Sequence, residues 1–534
     1  MKIAKKMITM ILTIALVGSL ITGCGNKKND NESEATNKQT DNASGQATND
    51  KKPIDIEFML LNNKNNGGED FIIRDIMKDE FNINIKFNCN TKDAHMEKLD
   101  LLIASNELPD IISPINSDKA KEVGPKGALI AFDEYFDKMP NVVKKIKEDP
   151  NIYASLIASD GHIYNLPRFS EKIQFKSVPM IRKDLVQEVN MEMPKNFDEL
   201  HNVLKAIKEK HPDMVGMVNR NKMQFLWAYG VHYNTNQNTF YDETKDKWVY
   251  GPLNDGFKEL VEDFSGFWND GLMDQEFFTA SRQQWEEKLL DETGVFTIDY
   301  ASRARTETEA FKKLHPDNND FQLSLMMPLT TEYYSTPRLN ISERVGMWTS
   351  IGVGANTKKL DRILEMIDYM YAEDASTLLQ WGEEGENYIV ENDKKKYAAN
   401  IKAPYNPEGT IDAENDLGLN HNRLMRIEKD DAFEEFIDGY TDVKEQYKEQ
   451  VELFENNSRI NLTFTEEELE EKAEIETNLL TYVEEGALKF ITGETPMSEY
   501  DSFINFLEKN GSARLEELYA AAYERYKEKV NSIK

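Results

Sequence analysis

Residues 54–116 read IDIEFML LNNKNNGGED FIIRDIMKDE FNINIKFNCN TKDAHMEKLD LLIASNELPD IISPIN, and this stretch decides the fold. Ile54, Ile56 and Phe58 alternate and run into Met59-Leu60-Leu61, the pattern of a strand that becomes buried on both faces. Asn62 to Gly68 is polar and glycine-rich, a turn. Ile72, Ile73, Ile76, Met77 and Phe81 then recur at helical spacing. Ile83, Ile85 and Phe87 alternate again, and Met96, Leu99, Leu102 and Ile103 share one helical face. That helix ends at Ser105-Asn106, and Pro109-Asp110-Ile111-Ile112 opens a third strand. The order β-α-β-α-β predicts right-handed crossovers and a parallel sheet. Ligands of such open sheets sit beyond the carboxyl ends of the strands, here near Asn62, Cys89 and Ser113 to Asn116.

Upstream, order stops abruptly. Gly25 to Pro53 is Asn, Lys, Ser, Thr, Asp and Gln with almost nothing apolar, so it cannot offset its ordering entropy and is expected to be a disordered tether spanning 24–53. Before it, Lys2, Lys5 and Lys6 precede the apolar run Met7–Leu20, which is too short for a comfortable membrane span of about 20 residues. Ile21-Thr22-Gly23-Cys24 resembles the bacterial lipobox. The resemblance implies a signal peptide over 1–23, and a Cys24 that carries diacylglycerol and palmitate as residue one of the mature chain. Membrane attachment would then be through the lipid alone.

Composition bounds the rest. The chain has 534 residues, too long for one core, and is 40% hydrophobic. Its formal charge of −32 falls by three when Lys2, Lys5 and Lys6 leave with the signal peptide, giving −35. That argues against nucleic acid or an anionic lipid surface as partner, although a local pocket can oppose the global sign. With Cys24 lipidated, Cys89 has no intrachain partner and is expected to be an inert, half-buried thiol. There is no His-Glu-x-x-His, Cys-x-x-Cys or P-loop, so no metal and no cofactor is assigned.

Downstream, Asp160-Gly161 marks a tight turn, and Asn196 with Glu199 forms a capping box for a helix bearing Leu200, Val203, Leu204 and Ile207. Trp248-Val249-Tyr250 is a strand, Phe257–Trp268 an amphipathic helix, and Gly294–Tyr300 a strand that delivers Asp299 and Tyr300 at its end. Met347–Gly354 is another strand, followed by a helix carrying Ile363 to Leu378 and closing at Trp381-Gly382. Lys394–Asn422 is expected to be surface loop. From Asp431 the chain is expected to be helical, with Thr465 and Glu468 capping a long helix and two more after it.

In this order the landmarks resemble a known family across nearly the whole mature chain. They are IASNELPDII (103–112), DGHIY (160–164), IRKDL (181–185), KWVYG (247–251), GLMDQEFF (271–278), IDYMY (367–371) with Trp381-Gly382, and KFITGE (489–494). The set is similar to the extracellular solute-binding proteins of bacterial ATP-binding cassette importers, family 1, and within them to the large LplA/LipO-type lipoproteins of Gram-positive bacteria. The resemblance implies an α/β, two-lobed periplasmic-binding-protein-like fold (type II) with a helical C-terminal region. Lobe 1 would comprise 54–170 and about 346–400; lobe 2 would comprise about 171–345 and 401–534. It implies a monomer on the outer face of the cell membrane that captures one solute, usually a carbohydrate, and passes it to a permease. Some relatives carry an Asp/Asn-rich calcium loop, but His211 to Gly216 lacks those ligands, so calcium is not carried over.

A saccharide needs aromatic platforms and planar polar side chains in a concave site. By resemblance the ligand-binding candidates are Asn62, Asn116, Trp227, Asp299, Tyr300, Trp348 and Trp381, with Arg168 and Arg303 as further possibilities. Trp248 and Trp268 are expected in the core. No convincing catalytic set is present, although 96 acids make a glycosidase-like carboxylate pair unavoidable by number alone. The competing classes are therefore a surface glycan-active enzyme and a sensory receptor. Within the receptor class, a peptide or another small solute is the alternative to sugar.

Overall fold

The computed structural model describes residues 51–64, 67–171, 175–318, 320–336, 340–341, 345–403, 409–429 and 460–533. The signal peptide, Cys24, most of the tether and the expected helical stretch at 431–459 lie outside the described residues. No helix among the described residues is long and apolar enough to cross a membrane.

The first sheet is built on the opening stretch. Ile54–Leu61 pairs in parallel with Ile83–Asn90 on one side and with Ile111–Ile115 on the other. The connecting helices, Ile72–Phe81 and Lys92–Ser105, both stop at an asparagine, Asn82 (φ 50°) and Asn106 (φ 57°). Asparagine tolerates the left-handed conformation that ends a helix. Across the sheet the order is Ile427–Glu428, Leu166–Ser170, Val345–Val353, Ile111–Ile115, Ile54–Leu61, Ile83–Asn90, with Val345–Val353 antiparallel to both neighbours.

The second sheet takes the middle of the chain. Its order is Leu323–Leu325, Phe175–Arg182, Gly294–Asp299, Gly216–Met217, and Asn340–Ile341 pairs with the strand Phe175–Arg182. The chain thus enters this sheet at Phe175 and rejoins the first sheet at Val345. Helix Phe197–Lys210 covers it, with Asn196 Oδ1 accepting from Glu199 N at 2.7 Å. The return bond of the expected capping box goes one residue back, to the Lys195 amide at 2.8 Å. At the C-terminal helix Glu466–Ile491 both bonds of the Thr465/Glu468 box are present.

The three C-terminal helices join the halves. Leu479, Val483, Phe490, Phe503 and Leu515 complete the core of the second sheet. The last helix, Ser512–Ile533, also packs Ala522, Tyr526 and Val530 against Ala154 of the first half.

Two expectations are corrected here. Residues 424–428, expected with the second lobe, pack on the first sheet. Ile427 pairs with Phe169, and Leu424, Met425 and Ile427 share the core of Phe58 and Leu60. Residues 394–403 and 409–422 are not plain surface loop either. The hairpin Tyr388–Glu391/Lys394–Tyr397 and the pair Ile401–Lys402/Ile411–Asp412 enclose a small core of Tyr388, Tyr397, Ile401, Ala403, Ala413 and Leu419. At its centre is Trp381, fully buried, with ring centroids 4.8 Å from Tyr397 and 6.0 Å from Tyr388. One large indole surrounded by alanines and tyrosines needs no periodic apolar pattern.

Helix Asp255–Asn269 carries an acid in an uncomfortable place. Asp263 accepts from the Tyr233 hydroxyl at 2.8 Å, but burial, together with Glu259, Asp198 and Glu262, pushes its carboxyl up to about 7. A carboxyl raised in the folded state makes stability fall as pH climbs from the ordinary carboxylate range through 7. Asp263→Asn is therefore expected to stabilise the protein by ~1–3 kcal/mol at pH 8, with the gain vanishing near pH 4. Urea unfolding at the two pH values measures it, and an equal effect at both would contradict this origin.

Candidate functional site

A cavity of about 910 Å³ opens between the two sheets. On the first-sheet side its wall begins at strand ends, as expected for an open α/β sheet. Leu61 ends one strand, and Pro114 lies near the end of another. Asn116 caps the helix Ser117–Val123, its Oδ1 accepting from Asp118 N at 3.1 Å, and this helix sets Asp118 and Lys121 on the wall. From the second half come Trp227, on the helix Phe225–Gly230, and Tyr300, the residue after the strand Gly294–Asp299. The rejoining strand contributes Gly346 to Thr349, with Trp348 51% exposed.

The expected residues divide accordingly. Asn116, Trp227, Tyr300 and Trp348 all line this cavity, from both of its sides. Asn62 is fully buried behind Leu61, where its Nδ2 donates to the Asn415 carbonyl at 3.1 Å. Asp299 is buried beneath Tyr300. Its carboxylate takes both Arg220 Nε (2.6 Å) and Nη2 (2.7 Å), and it also accepts from the Tyr300 amide at 2.7 Å. The Arg220 guanidinium lies 5.9 Å from the Tyr300 ring, so Asp299 braces the platform from below. Trp381, expected at the cleft, is a correction: it is the centre of the small core described above and not on this wall. Arg168 is on the wall but bound to Glu428 and to Ser170 Oγ (2.8 Å). Arg303 is held by Glu286 (3.3 Å) and Glu307 (3.1 Å).

Several lining residues escaped the sequence reading. Trp248, expected in the core, faces the cavity and leans on Tyr519 with ring centroids 4.9 Å apart. Glu414, Asn420, Asn422 and Arg423 come from the stretch expected to be loop. The run Asn420-His421-Asn422-Arg423, four planar hydrogen-bonding side chains set between Leu419 and Leu424-Met425, is the signal that could have found them. Arg426 pins the run in place: it is fully buried and its Nη1 donates to the Thr349 carbonyl at 3.0 Å.

The wall is rich in polar atoms that lack a protein partner. Lys121 Nζ, Arg168 Nε, Trp248 Nε1 and Arg423 Nε are buried donors without an acceptor. Asn420 Oδ1 and Asn422 Oδ1 are buried acceptors without a donor, and Thr239 Oγ1 lacks either. Buried polar groups are hydrogen-bonded in more than roughly nine cases in ten, so such a concentration on one surface marks a site that a polar ligand completes. Arg423 and Glu414 approach only to 3.5 Å. Burial pushes the arginine down and the carboxyl up, so their contact does not offset what both lose from water.

Among the described residues no group of three or more His, Cys, Asp or Glu is placed to hold a metal ion. The Cys89 thiol is buried, and that burial pushes it up to about 11, which keeps it protonated and unreactive.

The profile of the bacterial extracellular solute-binding proteins matches residues 67–376. The chain belongs to this family. Like its relatives it is a binding protein and not an enzyme. The fructooligosaccharide ABC transporter substrate-binding protein FusA of Streptococcus pneumoniae is 25% identical over 479 residues, covering 83% of this chain and 85% of FusA. The polygalacturonan/rhamnogalacturonan-binding protein YtcQ of Bacillus subtilis is 20% identical, covering 97% and 99%. Among solved structures, the alginate-binding protein AlgQ2 without calcium ion superposes with a TM-score of 0.68 at 20% identity, over 90% of this chain and all of AlgQ2. The fold is thus the type II periplasmic-binding-protein-like fold, α/β with mixed sheets and a helical C-terminal region.

Proposed function

We propose that this protein is the lipid-anchored receptor of an ATP-binding cassette importer, and that it captures an oligosaccharide between its two halves. The observation that carries the ligand class is the pairing, around one cavity, of aromatic side chains (Trp227, Trp248, Tyr300, Trp348) with orphaned polar atoms from Asn420, Asn422 and Arg423. Sugar C–H faces stack on the first, and hydroxyl groups satisfy the second. FusA and YtcQ, each named for the glycan it binds, support the same class. In this reading 54–170 with 345–429 forms one lobe, and 175–341 with the C-terminal helices forms the other. A monomer closes around its ligand and presents it to a permease. Asn116, Trp227, Tyr300 and Trp348 touch the ligand, and Asp299 positions Tyr300.

Calorimetric titration of the purified chain with oligosaccharides, with chromatography of the recovered sugar, tests this. Saturable binding and unaltered sugar are expected. Cleaved sugar, or binding of peptides alone, would overturn the reading.

The anchor rests on Cys24, whose flanking sequence resembles a lipobox. Two acyl chains meet the requirement for stable attachment that a single chain does not. Cys24→Ala is expected to move most of the protein from the membrane fraction to the medium; retention in the membrane would refute the lipid anchor.

A further inference from the structure

Of the buried polar atoms left open on the cavity wall, Asn420 Oδ1 and Asn422 Oδ1 accept and the Thr239 hydroxyl can do either, but the donors are in the majority and every charged group among them is cationic. Lys121 Nζ, Arg168 Nε, Trp248 Nε1 and Arg423 Nε all donate, and three of the four belong to cationic groups. A sugar hydroxyl both donates and accepts, so a site for a neutral glycan calls for acceptors in similar number, commonly carboxylates. Here Glu428 is taken by Arg168 and Ser170, and Glu414 faces Arg423. Lys121 is the sharpest case: it is 7% exposed, it lines the cavity, and its ammonium has no hydrogen-bond partner. A second ammonium, Lys529 on the last helix, is near enough to oppose it. Asp118, one turn earlier on the same helix, acts in the other direction.

We propose that the solute is an acidic oligosaccharide, one bearing uronate carboxylates, and that Lys121 Nζ and Arg423 Nε are its anion-binding donors. This deepens the saccharide reading above and rests on it.

A carboxylate is a pure acceptor, and its charge-assisted bonds are roughly twice as strong as neutral ones. It would satisfy donors that no protein acceptor reaches. Burial without a partner already pulls the Lys121 ammonium down to about 8, the direction a bound carboxylate would reverse. The chain's overall −32 does not prevent this. Charges on the outer surface are screened beyond about 8–10 Å in physiological salt, whereas a desolvated contact inside the cavity is not.

The test is a matched panel: trimers of galacturonate, mannuronate and glucuronate, each beside its carboxyl-reduced counterpart, titrated into the purified chain. At least one acid is expected to bind about tenfold or more tighter than its reduced form, the scale set by a single charge-assisted hydrogen bond. Lys121→Met is expected to shrink that ratio about fivefold or more, because the carboxylate loses a charge-assisted bond and the reduced sugar loses less. Removing an unpaired buried ammonium does not endanger the fold. Should that variant nonetheless fail to fold, Arg423→Gln reads the same ratio. Reduced trimers that bind as tightly as the acids, or a ratio unchanged in the variant, would overturn the acidic-ligand inference and leave the saccharide receptor standing. Silence across acids and reduced forms alike would likewise overturn the acidic-ligand inference, whereas the saccharide reading falls only to the outcomes given above.

Discussion

Trp381→Ala is expected to cost about 3–5 kcal/mol of stability, the range for deleting a fully buried aromatic side chain, and to weaken ligand binding from a distance. The indole is fully buried and shares its core with Tyr388, Tyr397, Ile401, Ala403, Ala413 and Leu419. Tyr388 and Tyr397 are paired in a hairpin and Ile401 in a parallel bridge, which holds them back from filling the space. The same helix end holds the cleft segment. Asn420 N donates to the Leu379 carbonyl at 3.0 Å, and Gln380 exchanges bonds with Lys429, 3.1 Å to its carbonyl and 2.7 Å from its amide. Losing Trp381 therefore loosens the loop that carries Asn420, Asn422 and Arg423. Urea unfolding gives the stability and titration gives the affinity. Trp381→Phe, which keeps an aromatic ring in the core, should recover much of both. If the alanine variant binds as the parent does despite its lower stability, the link between the small core and the cleft is wrong.

The second large effect is at the platforms. Trp348→Ala and Trp227→Ala are each expected to weaken oligosaccharide binding about 30-fold, the scale of a ~2 kcal/mol aromatic hot spot. Contributed by separate elements, their losses should roughly add, so the double variant binds on the order of 1,000-fold more weakly. The two differ in what else they cost. Trp348 is 51% exposed, so its removal should leave the unfolding midpoint unchanged. Trp227 also packs against the core of the second sheet, so its removal should lower stability as well. Quenching of intrinsic fluorescence by ligand, compared across the three variants, separates the platforms. Parent-like affinity in the double variant would exclude this wall as the binding surface.

What could be read from residues alone follows from how strongly each element is patterned. The β-α-β-α-β stretch was readable because strands such as Ile83–Asn90 keep strict alternation and helix Ile72–Phe81 buries a single stripe. The second sheet was harder. Gly216–Met217 and Leu323–Leu325 are two and three residues long, too short to carry a period. Cavity-lining polar residues mimic surface, which is why Asn420 to Arg423 looked like loop, and only the two-sided flank of Leu419 and Leu424 argued otherwise. Composition could not separate Trp348 from Trp381. Trp348 follows Val345-Gly346-Met347 and Trp381 follows Leu378-Leu379-Gln380, and only tertiary packing leaves one half in solvent and encloses the other completely.

The two cores share one further property, which concerns the order of synthesis. The first sheet closes only when Ile427–Glu428 reaches the strand Leu166–Ser170, some 260 residues upstream. The second core is incomplete until Leu479 to Leu515 arrives. The first sheet has all its strands once Glu428 has been made, whereas the second core must wait for the C-terminal helices. The high separation of these contacts makes folding a slow, whole-molecule event. A translation product that stops before the last helices therefore leaves the apolar face of the second sheet uncovered and open to proteases.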